Sequence, residues 1–229
     1  MRRLARFRNL HAGQRCVIVC NGPSLNAMDL TVLQSEVVIG LNKIHLGLKR
    51  FGFYPRYLVA VNALVVEQSR AALAAMTCIK FIGGRAAGHL PQDAFTHHLP
   101  ILGPPDVFST DIATGVREGG TVTHVALQLA YYMGFAEVIL IGMDHRYDFA
   151  GTPHEKRHLE GPDVNHFSPD YFSGCDWQNP DLAQSEVSYK AARAAYEAAG
   201  RQIIDATVEG ACTVFRKADF RQSLRQARR

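Results

Sequence analysis

The chain has 229 residues, 47% of them hydrophobic, and a formal net charge of +4, which is enough apolar material for one buried core in one domain. No run reaches the roughly 18 to 20 apolar residues that a bilayer-spanning helix needs. The charge sits at the ends: residues 1–10 hold four arginines and no acid, residues 216–229 hold six basic residues against Asp219, and the middle sums to −5. A nucleic-acid partner, which favours a basic stripe on the folded body, is therefore not expected.

The expected organisation is a basic N-terminal tail (1–14), one domain (15–215) and a basic C-terminal tail (216–229). The tails read as solvated ends, or as a peripheral contact with anionic lipid, to which clustered Lys/Arg contribute about 1 kcal/mol each. The arginine-rich start lacks the apolar stretch of a secretory signal, so a cytoplasmic location is expected, with the inner face of the membrane within reach of the tails. Cys16, Cys20, Cys78, Cys175 and Cys212 are odd in number, scattered and free of any C-x-x-C pair, which suggests neither a disulfide framework nor a zinc site.

In chain order, Arg15-Cys-Val-Ile-Val-Cys20 is a short β-branched run ended by Asn-Gly-Pro, the pattern of a buried strand and a turn. Glu36 to Asn42 and Arg56 to Asn62 repeat it, each closing on an asparagine, and Cys78 to Ile82 is a weaker fourth run. From Thr121 the apolar positions Val122, Val125, Ala126, Leu129, Ala130 and Met133 follow helical spacing, with Gly134 as the stop. Ala136 to Gly142 is the fifth strand. Asp181 and Gln184 open a second helix running to Ala199, ended by Gly200, with Ile203-Ile204 as a last strand.

Strands apolar throughout belong to a parallel sheet covered on both faces. The expected fold is α/β, a Rossmann-like three-layer sandwich with a mostly parallel central sheet. Residues 83–120 and 145–180 show little periodicity, and stretches of that length inside a domain read as binding loops or lids. The second forms the lid after the fifth strand.

Ligands of such sheets bind beyond the carboxyl ends of the strands. The polar residues there are Asn21, Ser24, Asn42, Asn62 and Asp144, either ordinary turn formers or one wall of a crevice whose amides suit nucleobase edges and sugar hydroxyls. Gly22 in the Asn21-Gly22-Pro23-Ser24 turn permits close backbone approach, and Ser24 can donate to a phosphate oxygen. Neither a Walker loop nor a dinucleotide G-x-G-x-x-G is present. The Gly119-Gly120-Thr121 helix start offers N–H groups and a positive dipole end to an anion, with Thr121 also an ordinary N-cap. His145, His154, His158 and His166 crowd the second loop. His154-x-x-x-His158 has ligand spacing but no H-E-x-x-H pattern, so no metal site is expected. A histidine acting as general base is the better reading, and Arg146 is placed to neutralise a leaving phosphate.

Taken together, Cys20-Asn-Gly-Pro-Ser-Leu25, Gly40-Leu-Asn42, the Gly119-Gly-Thr121 helix, Gly134-Phe-Ala-Glu-Val-Ile-Leu-Ile-Gly-Met-Asp144 and Asn165-His-Phe167 resemble the MptE-like family, named for the archaeal 6-hydroxymethylpterin diphosphokinase. The resemblance spans residues 15–215. The same motif order is similar to bacterial sialyltransferases that use CMP-sialic acid and to flagellin-modifying glycosyltransferases. That resemblance implies that Asn21, Asn42 and Asn62 bind the cytidine nucleotide, with Gly120 and Thr121 nearby, and that a catalytic histidine falls at His166 or, with a different gap, at Asp170. Where those enzymes place tyrosines near the phosphate, this chain has His145, Arg146 and Tyr147.

Two activities follow from the resemblance. One is glycosyl transfer from a CMP-linked donor to a glycan or glycolipid acceptor, with His166 or Asp170 as base and no cofactor. The other is diphosphate transfer from ATP to a pterin-like alcohol, with Mg²⁺ held at Asp144. A non-catalytic nucleotide-binding protein is the third reading.

Overall fold

The computed structural model describes residues 2–225. Strands β1 (Arg15–Val19), β2 (Val38–Leu41), β3 (Tyr57–Ala60), β4 (Ile79–Gly83), β5 (Thr96–Leu99) and β6 (Glu137–Ile141) are followed by a hairpin, β7 (Lys156–Leu159) and β8 (Cys175–Gln178), then by β9 (Gln202–Asp205) and β10 (Arg216–Lys217). All but the hairpin pair in parallel in one eight-stranded sheet, ordered β10-β9-β6-β1-β2-β3-β4-β5. Its helices are α1 (Arg2–Ala5), α2 (Leu48–Phe51), α3 (Ala63–Gln68), α4 (Arg70–Ala75), α5 (Val122–Tyr132), α6 (Leu182–Ala198) and α7 (Phe220–Arg225). None of the described helices is long and apolar enough to cross a membrane.

Because side chains alternate along a strand, each strand feeds two cores. Cys16 and Ile18 of β1, with Val138 and Leu140 of β6, meet α5 and α6 on one face. Val17, Val19, Ile139 and Ile141 face the other side, where Leu25, Leu33, Val66 and Leu73 cover them. Thr121 caps α5 by accepting from the Thr123 N–H, and Asp181 caps α6 by accepting from Gln184. The Gln184 side chain turns to Ser188 at 3.3 Å instead of closing the capping box.

Three features differ from the reading of the sequence. Residues 2–14 are not a loose solvated tail. Leu4, Phe7 and His11 are buried, Phe7 meets Phe81 edge-on at 5.0 Å, and His11 stacks on Phe135 and bonds the Tyr57 hydroxyl at 2.7 Å. Four arginines within ten residues masked the apolar positions between them. At the other end β10 joins the sheet and α7 buries Phe220, so 216–225 is ordered, and the remainder of that basic end lies outside the described residues. Thirdly, the two aperiodic stretches carry strands. Thr96-His97-His98-Leu99 lacks an apolar run yet forms β5, with His97 packed against Phe7 and Phe81. Residues 145–180 hold the β7–β8 hairpin and bury Phe167, Tyr171, Phe172 and Trp177.

Two buried histidines make stability depend on acid. Burial, reinforced at His97 by Arg6 and Arg3, pushes that ring down to about 4, and burial does the same to His124. An unfolded histidine takes its proton near pH 6.5, so between there and about 4 the unfolded chain binds more protons than the native one. Stability is full above that window and falls as pH drops through it, by up to about 1.4 kcal/mol per pH unit for each ring. Urea midpoints measured from pH 7 to 5 should decline accordingly, and a flat profile would contradict the neutral burial of these rings.

Candidate functional site

After β1 the chain builds the sheet outward through β2 to β5, then returns as β6 on the opposite side of β1. Strand order therefore reverses between β1 and β6, and a crevice lies beyond the carboxyl ends of the strands there. It is lined by Asn21, Gly22, Asn42, Gly120, Thr121, Asp144, His145, Arg146, Tyr147, Asn165, His166 and Tyr189, among others. The open space is about 100 Å³, below the roughly 300–1,000 Å³ of sites that enclose a whole drug-sized ligand.

The β1 and β6 loops are locked together. Gly22 N–H donates to Gly142 O at 2.8 Å. Asp144 accepts from the Ser24 N–H at 2.9 Å and from the Ser24 hydroxyl at 2.5 Å, which holds the short 3-10 turn Pro23–Ala27 against β6. A Cβ on Gly22 would fall on the Asp144 carboxylate and 2.8 Å from Gly142 O. Ser24 thus turns to Asp144, and neither it nor Pro23 lines the crevice. The pairing was not legible in the sequence, where residues 24 and 144 are 120 positions apart.

Asn21 and Asn42 stand at adjacent strand ends. Both Oδ1 atoms are buried without a hydrogen-bond partner, and leaving such an acceptor unpaired costs about 1–3 kcal/mol. Asn42 is also held at φ 47°, a left-handed conformation that asparagine tolerates better than most residues. Asn62 is placed elsewhere: its Oδ1 caps α3 by accepting from Leu64 N–H at 2.9 Å, and its Nδ2 donates to Gln178 of β8 at 3.2 Å.

Opposite stands the start of α5. Gly119 and Gly120 take φ of 60° and 74°, turning the chain so that Thr121 and Val122 face the crevice, where the first N–H groups of a helix favour an anion. The Thr121 hydroxyl lies 3.4 Å from the Tyr189 hydroxyl. Burial raises Tyr189 and Tyr147 above the usual tyrosine range, so both remain neutral hydroxyls. Burial likewise pushes the Cys20 thiol up to about 12, which leaves it protonated and a poor nucleophile.

The third wall comes from residues 145–180. His166 Nδ1 lies 2.8 Å from the buried Asp163 carboxylate, whose other oxygen accepts from Asn165 N–H at 2.8 Å. The imidazole stacks on Tyr171 at 3.9 Å and 6°. The Tyr171 hydroxyl accepts from Lys43 N–H at 3.3 Å, and its carbonyl accepts from Lys43 Nζ at 2.6 Å. With Nδ1–H given to Asp163, Nε2 carries the free lone pair on a ring that lines the crevice, the orientation a general base requires. Asp163 escaped the sequence reading; its only signal is an acid three residues before the histidine.

Asp170 is exposed and outside the crevice. Arg146 lines the mouth and donates to Glu209 O at 3.3 Å. His145, at φ 52°, lies 3.2 Å from Glu186 of α6. His154 and His158 do not converge: one meets Asp181 at 3.3 Å, the other Asp176 at 2.9 Å.

A family model described as 6-hydroxymethylpterin diphosphokinase MptE-like matches residues 1–149. Among solved structures the chain is similar to the MAf glycosyltransferase from Magnetospirillum magneticum AMB-1, at 18% sequence identity and a TM-score of 0.58. That similarity covers 97% of this chain and 38% of the other, so the chain spans well under half the length of that protein, and at this identity the likeness carries the fold alone. No curated protein matches.

Proposed function

Because the chain belongs to the MptE-like family, we propose that it is a nucleotide-dependent transferase that moves a sugar from a CMP-linked donor to a hydroxyl of a glycan or glycolipid acceptor. The observation that carries this reading is one crevice in which two unpaired buried amide acceptors, a helix start and an oriented histidine converge. Asn21 and Asn42 need donors, and a nucleotide brings them as an exocyclic amine and ribose hydroxyls.

In the reaction, the acceptor oxygen bonds to the anomeric carbon as the bond from that carbon to the phosphate oxygen breaks. His166 Nε2 takes the hydroxyl proton, and Asp163 stabilises the imidazolium that forms. The departing nucleoside monophosphate keeps the bonding electron pair, and its charge is met by the α5 N-terminus and by Arg146. Ser24 and Asp144 act indirectly, by holding the Asn21-Gly22 turn in place.

The family description favours a second reading, ATP-dependent diphosphate transfer to a pterin-like alcohol. Its Mg²⁺ would be held through one or two carboxylates and the substrate phosphates. Asp144 is the carboxylate that lines the crevice, and each of its oxygens accepts one hydrogen bond from Ser24 and keeps a second lone pair, so Asp144 would hold the ion from the crevice wall, with the substrate phosphates supplying further oxygens.

A thermal-shift panel of CMP, CDP, UDP, GDP, ADP and ATP, each with and without Mg²⁺, tests the choice. A ligand that binds only the native state at a hundred times its Kd adds about 2.7 kcal/mol of stability. CMP should raise the melting temperature in chelator, and Asn21→Ala should remove the rise. Stabilisation by ATP with Mg²⁺ alone would reverse the assignment, and CMP binding without turnover of any CMP-linked sugar would leave a nucleotide-binding protein.

A further inference from the structure

A second groove opens at the same carboxyl edge of the sheet, beyond β4 and β5. It measures about 450 Å³, within the range of small-molecule sites. Gly84 and Arg85 reach it from the end of β4, Ile101, Leu102 and Pro105 from the segment after β5, and Glu118 from the approach to α5. Ile101 pairs with Val116 in a parallel bridge, so the segment after β5 and the one leading to Glu118 run side by side. Glu118 stands two residues before Gly120, which lines the crevice. Two residues span at most about 7 Å, so one stretch of backbone forms the partition between groove and crevice.

We propose that this groove is part of the acceptor site and takes a neutral, hydroxylated sugar ring of an acceptor glycan, a unit removed from the ring whose hydroxyl meets His166 in the crevice. The proposal rests on the glycosyl-transfer reading above. Ile101, Leu102 and Pro105 supply an aliphatic surface for the C–H face of a ring. Arg85 Nη2 and Glu118 Oε2 lie 3.4 Å apart, with side chains 71% and 25% exposed, and so present a donor fork beside an acceptor carboxylate to neighbouring hydroxyls. Their charges cancel, which favours an uncharged occupant over a phosphate. None of the lining residues is aromatic, so a nucleobase would find no ring to stack on.

The test uses the full chain with labelled isoleucine and leucine methyl groups. It is titrated in the NMR tube with methyl β-galactoside, methyl N-acetyl-β-glucosaminide and methyl α-mannoside, each with and without CMP. At least one glycoside should shift the Ile101 and Leu102 methyl signals, and Arg85→Ala and Glu118→Gln should each weaken that binding about tenfold or more. Both variants should keep the wild-type CMP-induced rise in melting temperature. No movement of these methyl signals by any glycoside, or equal binding by both variants, overturns the acceptor subsite even if CMP binds. Glycoside binding that survives while CMP fails to stabilise the protein would instead sink the glycosyl-transfer reading and with it the acceptor role.

Discussion

His166→Gln should lower turnover by about 10²- to 10⁴-fold, the range for a positioned general base, while the donor concentration at half-maximal rate changes only a few-fold. The reason is geometric. The ring is fixed by Asp163 at 2.8 Å and by the Tyr171 stack at 3.9 Å, so Nε2 is available to the acceptor hydroxyl and contributes little to holding the nucleotide. CMP release from a CMP-linked sugar is the measurement, with the CMP-induced melting shift as the control that the site survives. Asp163→Asn should lose part of the same rate, because it removes the carboxylate that orients the ring and stabilises its charged form. Asp170→Ala should be indistinguishable from wild type. Wild-type turnover by His166→Gln would remove this residue from the chemistry.

Gly22→Ala should abolish detectable turnover and CMP binding together, and should destabilise the fold by roughly 1–3 kcal/mol, the range of a mutation that overpacks a closed site. Gly22 sits in ordinary extended backbone, at φ −70° and ψ 157°, so the penalty is steric rather than conformational. The added methyl group occupies the position of the Asp144 carboxylate and presses on Gly142 O. Moving Asp144 frees Ser24 and unlocks the β1 turn from β6. Urea denaturation and the CMP melting shift read the two effects separately. A stable, CMP-binding Gly22→Ala protein would mean that the junction is far more yielding than its contacts imply.

The contrast between these residues marks what the sequence could convey. β1, β2, β3 and β6 were legible because each is a continuous apolar run ending in turn residues, β4 more weakly because Lys80 interrupts it, and α5 and α6 because helical spacing and cap residues agree. The crevice was legible only as a set of strand ends. Asn21, Asn42, Thr121, Asp144 and His166 come together there, yet Ser24 is engaged by Asp144, 120 positions away, and Asn62 by the start of α3 and by Gln178 of β8. β5 was hidden because its pattern, Thr-His-His-Leu, is polar by composition, and the burial of His97 against Phe7 and Phe81 is a tertiary contact. Asp163 was hidden for a similar reason: an acid in a loop is commonplace until a tertiary contact gives it a histidine to hold.

The outer strands of the sheet bear on how the protein behaves when concentrated. An open sheet normally exposes a row of unpaired amides that can recruit a strand from another molecule. Here one border, β10, is only two residues long, with an exposed arginine and lysine, and the other, β5, is four residues long. At the entry to β5, Arg3 and Arg6 donate to the carbonyls of Asp93 and Ala94 at 3.1 and 3.3 Å. The arginines that first looked like a loose cationic tail therefore occupy two carbonyls beside this border, which are no longer free to accept from a strand of another molecule.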